Sequence, residues 1–205
     1  MNSLPQPKLF VNNDLRQRYG FGFGFADFYG YLMLPSIVVK QFGPRTMTLS
    51  ALCSLPEVRQ KGTTFRQITG IAGEAGLPVR TVKHHLDWLQ KQQAVGNAGR
   101  HHRRTATRLI DPQIREAFKP GLVDCYPLPR FVLESGLTWN ERLVLAFYCF
   151  KSYRFSDSPK QAVEVSQAET ARQTGLQRLA VREATRRLVE RGLIEADSNR
   201  IALRF

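Results

Sequence analysis

Between residues 177 and 191 the low-polarity positions fall at Val181, Ala184, Thr185 and Leu188. This i, i+3, i+4, i+7 spacing predicts an amphipathic helix with one buried face. Gly192 predicts its end, and Leu193-Ile194-Glu195 predicts an extended segment. A turn follows at Asp197-Ser198-Asn199, and Ile201, Leu203 and Phe205 alternate as a returning strand. Upstream, Ser166-x-x-Glu169 has the form of a capping box, opening a shorter helix that stops at Gly175. Further upstream, Thr138-x-x-Glu141 introduces Leu143, Val144, Ala146, Phe147 and Phe150, an apolar face long enough to close a core. The predicted order is a long helix, a helix, a short turn, a second helix and a hairpin.

The same pattern occurs earlier in the chain. Residues 71–89 align without a gap on residues 170–188, with Gly76 on Gly175, an offset of 99. Ala72 then meets Ala171, Leu77 meets Leu176, Val82 meets Val181 and Leu89 meets Leu188. Beyond the helix, Ala94-Val95 meets Leu193-Ile194. Leu34-Pro35-x-x-Val38 resembles Leu128-Pro129-x-x-Val132 at a slightly smaller offset. A period this long indicates two copies of one small module, not a solenoid. In the first copy Thr64-x-x-Gln67 offers a capping box, and Val82, Leu86 and Leu89 are the expected buried face. Gly96-Asn97-Ala98-Gly99 opens the hairpin. A helix from about Met47 to Val58 supplies Leu49, Leu52, Cys53 and Leu55 to the core.

The expected fold class is therefore mainly α with small β-hairpins (α+β), built as two tandem winged helix–turn–helix modules. A glycine- and aromatic-rich arm occupies 1–30, the first module 31–112, a connector 113–124 and the second module 125–205. Asp111-Pro112 and Lys119-Pro120-Gly121 punctuate the connector, which holds at most a short helix from Ile114 to Phe118.

Charge narrows the function. Lys and Arg number 30 against 17 Asp and Glu, giving +13 over 205 residues. A folded chain of this balance points to a polyanionic partner, and double-stranded DNA is the leading candidate. In a winged helix the second helix of the motif enters the major groove, its N-terminal half facing base edges. With Val181 as the core direction, Arg182, Glu183 and Arg186 face outward, joined by Arg178 at the helix start. Arginine can pair bidentately with guanine, and a glutamate can accept from cytosine N4. The first copy presents Lys83, His84 and Asp87, with Arg80 and Thr81 at the helix start. The two helices carry different side chains and are expected to read different half-sites or to contribute unequally.

The first hairpin places Arg100, His101, His102, Arg103, Arg104 and Arg108 in one short run without an acid. Such a wing suits the phosphate backbone or the minor groove, giving salt-dependent affinity without base code. The second wing carries only Arg200 and Arg204.

At these residues a family resemblance enters. Tyr126-Pro-Leu-Pro-Arg-Phe-Val, Leu137-Thr-Trp-Asn-Glu-Arg-Leu-Val-Leu-Ala, Ser166-Gln-Ala-Glu-Thr-Ala and Thr174-Gly-Leu together resemble the winged-helix modules of phage and plasmid replication proteins. The run Thr185-Arg-Arg-Leu-Val-Glu-Arg-Gly-Leu-Ile is similar to the ends of recognition helices in bacterial winged-helix regulators. The resemblance covers about 70 residues of the second copy. It implies a tandem initiator reading adjacent major grooves, with replication or transcription machinery as partner. A transcriptional repressor on operator DNA is the alternative, and a protein–protein or RNA-binding winged helix is the alternative of another class.

Enzymatic readings fail. No nucleophile–base constellation, paired carboxylates or cofactor loop is present, so no catalytic residue and no cofactor is expected. The G-x-G-x-G at Tyr19 to Phe25 lacks the third glycine of a dinucleotide loop. The aromatic segment Tyr19 to Tyr31 is read as packing on the first module, stacking on bases, or exchanging between subunits of a homodimer. No zinc site is expected, because adjacent histidines at 84–85 and 101–102 point apart and no cysteine is near in sequence. His85, aligned with Ala184, is expected near the core. Three widely spaced cysteines suit small core positions in a reducing compartment. With no apolar run of 18 residues and no basic leader, the expected location is the cytoplasm, associated with the nucleoid, away from membranes.

Overall fold

The computed structural model describes residues 31–101, 104–118, 125–153 and 162–204. The arm at 1–30, including the Tyr19 to Phe25 run, lies outside the described residues. The fold is mixed α+β with small antiparallel sheets. The chain divides into two compact units, Leu32–Asp124 and a second that includes Cys125–Phe205.

The first unit follows strand β1 (Tyr31–Pro35) with α1 (Ser36–Phe42), a 3-10 turn (Gly43–Arg45), α2 (Thr46–Ser54) and α3 (Pro56–Lys61). The expected single helix from Met47 to Val58 is thus two. Pro56 disfavours helical backbone at the residue before it, and Leu55 is extended with ψ 129. Pro56 then serves as the first residue of α3, where its missing N–H costs nothing. After β2 (Thr63–Thr64) come α4 (Ile68–Ala75), α5 (Val79–Lys91), β3 (Val95–His101), β4 (Arg104–Leu109) and α6 (Pro112–Ala117). The capping box expected at Thr64 and Gln67 is absent. Thr64 sits in β2, its hydroxyl donating to Glu57 and accepting from the Arg66 N–H, and Gln67 itself is the N-cap without a side-chain bond. Helix α6 falls within the stretch read as connector, yet Ile114 and Ala117 belong to the core cluster formed by Val38, Leu49, Leu52, Ile71, Val82 and Leu89.

The second unit contains β5 (Cys125–Pro129), a 3-10 turn (Arg130–Val132), α7 (Trp139–Tyr153), β6 (Val163–Glu164), α8 (Gln167–Thr174), α9 (Arg178–Glu190), β7 (Ile194–Asp197) and β8 (Arg200–Leu203). Helix α7 opens on a complete capping box. The Thr138 N–H donates to Glu141 Oε2 at 2.6 Å, and the Glu141 N–H donates to Thr138 Oγ1 at 3.4 Å. From Glu141 to Phe150 every residue of α7 is buried. Tyr126 packs edge-on against Phe147 and Phe150, both at 5.5 Å between centroids. Ser166 caps α8 by accepting from the Glu169 N–H at 3.1 Å. The Glu169 carboxylate pairs with Lys151 instead of closing the box.

Shifted by 99 residues, Ile68–Ala75 falls on Gln167–Thr174, Val79–Lys91 on Arg178–Glu190, and the start of β3 on the start of β7. Shifted by 94, Tyr31–Pro35 falls on Cys125–Pro129. In each unit the two short helices are joined by three residues, opening on a left-handed glycine, Gly76 (φ 57) or Gly175 (φ 74). Each unit has a three-stranded sheet with its longer-range strand first and the hairpin beside it, in the orders β2-β4-β3 and β6-β8-β7. Where the second unit ends its helix at Gly192 (φ 69), the first has Gln93 at φ 58, a left-handed conformation that costs a non-glycine residue energy.

A buried polar tie pins the second short helix in each unit. Thr48 Oγ1 of α2 lies 2.9 Å from His85 Nδ1 of α5, and Tyr148 Oη of α7 lies 2.9 Å from Thr185 Oγ1 of α9. His85 is 8% exposed. Burial first, then the charges of Arg45 and His84, hold its pKa down to about 4 from 6.5. Cys53 and Cys149 are buried, with burial pushing the Cys53 thiol up to about 12, whereas Cys125 is half-buried at the start of β5. Among the described residues no helix is long and apolar enough to cross a membrane.

Two outcomes are expected. The His85 pKa is lower folded than unfolded, so its stabilisation is complete above pH 6.5 and is lost as pH falls toward 4. Urea midpoints of the full chain should drop by the equivalent of about 2 kcal/mol across that window, and His85→Gln should remove that part of the slope. Gln93→Gly should raise the unfolding midpoint by roughly 0.5 kcal/mol, since relief of left-handed strain outweighs the added chain entropy.

Candidate nucleic-acid interface

In α5, Val82, His85 and Leu89 are buried and Leu86 is half-buried. At about 100° per residue this core direction turns Arg80, Lys83, His84 and Asp87 outward, and all four are exposed. Thr81 is half-buried. In α9, burial of Val181, Ala184, Thr185 and Leu188 turns Arg178, Arg182 and Arg186 into solvent. Each unit therefore gathers its candidate residues on one face of its second short helix.

The starts of these two helices break a local rule. Neither α5 nor α9 has a side-chain cap, and neither has an acid in its first turn. Both instead carry a cation there, Arg80 and Arg178, where the helix dipole disfavours positive charge by about 0.3–1 kcal/mol. The uncapped N–H groups and the guanidinium together form an arrangement that an anion such as phosphate would satisfy.

Glu183 is placed differently from the sequence expectation. It is half-exposed, and its carboxylate is already engaged. Arg186 donates to both of its oxygens, Nη2 at 2.6 Å and Nε at 3.2 Å, and Arg187 Nε donates to Oε1 at 3.0 Å. Arg186 also pairs with Glu190. The hydrogen bonds from Arg186 and Arg187 hold the Glu183 carboxyl down at about 2. A spacing of three and four residues on one helix brings these groups together. Arg186 is therefore divided between two carboxylates, while Arg178 and Arg182 have no ion-pair partner among the described residues.

In the first hairpin, Arg100 and His101 lie in β3 opposite Thr105 and Arg104 of β4. Arg108 is exposed in β4, opposite Gly96 on one side and Thr63 on the other. The register slips between Asn97 and Arg100, where Gly99 takes φ 108, the kind of bulge that increases local twist. His102 and Arg103 lie outside the described residues. In the second hairpin Arg200 is exposed at the start of β8, and Arg204 pairs with Glu195. A groove between α5 and the first hairpin is lined by polar groups including Gln67, Thr69, Asp87, Gln90, Asn97 and Thr107.

Two side chains that the sequence reading passed over belong to this surface. Val79, the first residue of α5, is 46% exposed, and Leu179, the second of α9, is 74% exposed. The helical wheel that turned Arg182 outward contained the signal, because Leu179 lies about 160° from Val181.

No family model, no curated protein and no solved structure matches the chain.

The Glu183 network generates one direct expectation. In side-chain carboxyl NMR, Glu183 should titrate at about 2, and Arg186→Ala should move it up toward the ordinary carboxylate range. A Glu183 that titrates normally in the unsubstituted chain would mean that its arginine partners do not hold it in solution.

Proposed function

We propose that this chain is a sequence-specific double-stranded-DNA-binding protein that reads DNA with two winged helix–turn–helix units, acting in replication initiation of the phage and plasmid type. One observation carries the reading. In both units the helix that would enter the major groove begins with an exposed cation, no acid and no side-chain cap. α1, α2 and α4 also start without an acid or a side-chain cap, so the feature that sets α5 and α9 apart is the cation, which the helix dipole disfavours there. Two helices that carry a cation in the first turn, Arg80 second in α5 and Arg178 first in α9, are suited to meet phosphate as they enter a groove. The net charge of +13 and the arginine-rich first hairpin add sequence-independent attraction to the same partner. Base choice then falls to residues further along each helix, Lys83 and His84 in one unit and Arg182 in the other. The replication role, as opposed to repression of an operator, rests on the resemblance of the segments between Tyr126 and Leu176 to the winged-helix modules of phage and plasmid replication proteins.

Binding of the full chain to duplex DNA, single-stranded DNA and duplex RNA over a salt series tests this reading, followed by selection of preferred duplex sites. Duplex DNA should bind tightest, with log K falling linearly against log salt. Arg80→Ala and Arg178→Ala should each weaken binding to every duplex and reduce that slope by about 0.9. Equal or tighter binding of duplex RNA, or affinity insensitive to salt, would overturn the proposal.

A further inference from the structure

Leu179 has no structural employment. The core face of α9 is complete without it, formed by Val181, Ala184, Thr185 and Leu188. Its side chain stands 74% exposed, the highest exposure among the large apolar residues described. It does not stand alone, because Arg178 precedes it and Arg182 follows one helical turn later, both exposed and both without an ion-pair partner among the described residues. An apolar side chain beside two such cations suits a surface that offers negative charge next to an apolar point. The major groove of DNA offers that combination through its phosphates and the C5-methyl group of thymine.

We infer that Leu179 is a thymine-reading residue of the second unit, packing on the thymine methyl group while Arg182 takes the guanine of the adjacent base pair. This rests on the DNA-binding reading above. The spacing supports the adjacency, since three residues of helix advance about 4.5 Å and one base step about 3.4 Å. Arg186, four residues beyond Arg182, is held by Glu183 and Glu190, which leaves Leu179 and Arg182 as the unencumbered readers of this helix. The first unit has an exposed Val79 at its helix start but no apolar side chain at the aligned position. Shifted by 99 residues, the position of Leu179 is Arg80, so the first unit places a guanidinium where the second places a methyl-bearing side chain.

Deoxyuridine provides the test, because it differs from thymidine only by the missing methyl. Starting from the best duplex selected by the full chain, each thymidine is replaced in turn and affinity is measured by fluorescence anisotropy. One thymine beside a guanine should weaken binding about three- to tenfold when replaced. The chain carrying Leu179→Ala should bind the thymidine and deoxyuridine duplexes equally, with an unchanged melting temperature. Arg182→Ala should lose preference for the neighbouring guanine. A chain that selects no duplex overturns both readings. A chain that selects a site but is indifferent to every deoxyuridine, or whose penalty survives Leu179→Ala, overturns this one alone. So does a Leu179→Ala chain whose only change is its oligomeric state in sedimentation, which would assign the side chain to a protein contact.

Discussion

Val82 and Val181 are both fully buried, and their burial sets the rotation of α5 and α9 about their axes. A helix has one free angle once its axis is placed, and a completely buried β-branched side chain fixes it. Leu89 and Leu188 repeat the constraint two turns later, so each helix is held at both ends of its inner face. The polar ties reinforce it at mid-helix, where a misrotated helix would leave a hydroxyl or an imidazole unpaired in the interior. The chemistry of the outer face follows from this inner one. Arg80, Lys83, Arg178 and Arg182 are exposed because there is no room for them elsewhere.

Much of this was readable from the chain alone. Periodicity located α5 and α9 and their buried faces, Gly76 and Gly175 located the turns, and the 99-residue offset mapped one unit onto the other. Thr138-Glu141 and Ser166 marked helix starts because capping depends on neighbours within three residues. Local pattern misled at Thr64, where tertiary pairing with β4 and the nearby Glu57 claimed the hydroxyl. It also misled at Ile114, where two apolar residues at i and i+3 were too few to signal a docked helix. Pro56 divides the stretch from Met47 to Val58, where the apolar spacing alone predicts one helix. The pairing of Glu183 was available from its spacing to Arg186 and Arg187, yet a wheel sorts residues by direction and says nothing about which neighbours neutralise one another.

Conflict between local preference and global placement is the most informative feature of the surface. Uncapped helix starts carrying arginines, and a leucine in open water, each cost a little in the isolated molecule. The corresponding charges at the middle and end of α9 are balanced within the helix by Glu183 and Glu190. Uncompensated groups therefore concentrate toward the helix beginnings, the part that on the DNA-binding reading would approach base edges.

The two units share a backbone plan but carry unlike outer stripes, Arg80, Lys83 and Asp87 in one against Leu179, Arg182 and Arg186 in the other. On the DNA-binding reading, this inequality gives the molecule a front and a back. Identical readers related by symmetry fit a target equally well in two orientations. Two unlike readers on one chain fit it in one, and the bound protein then acts as an arrow along the duplex. A repeat that has diverged in this way can tell other factors which direction lies ahead.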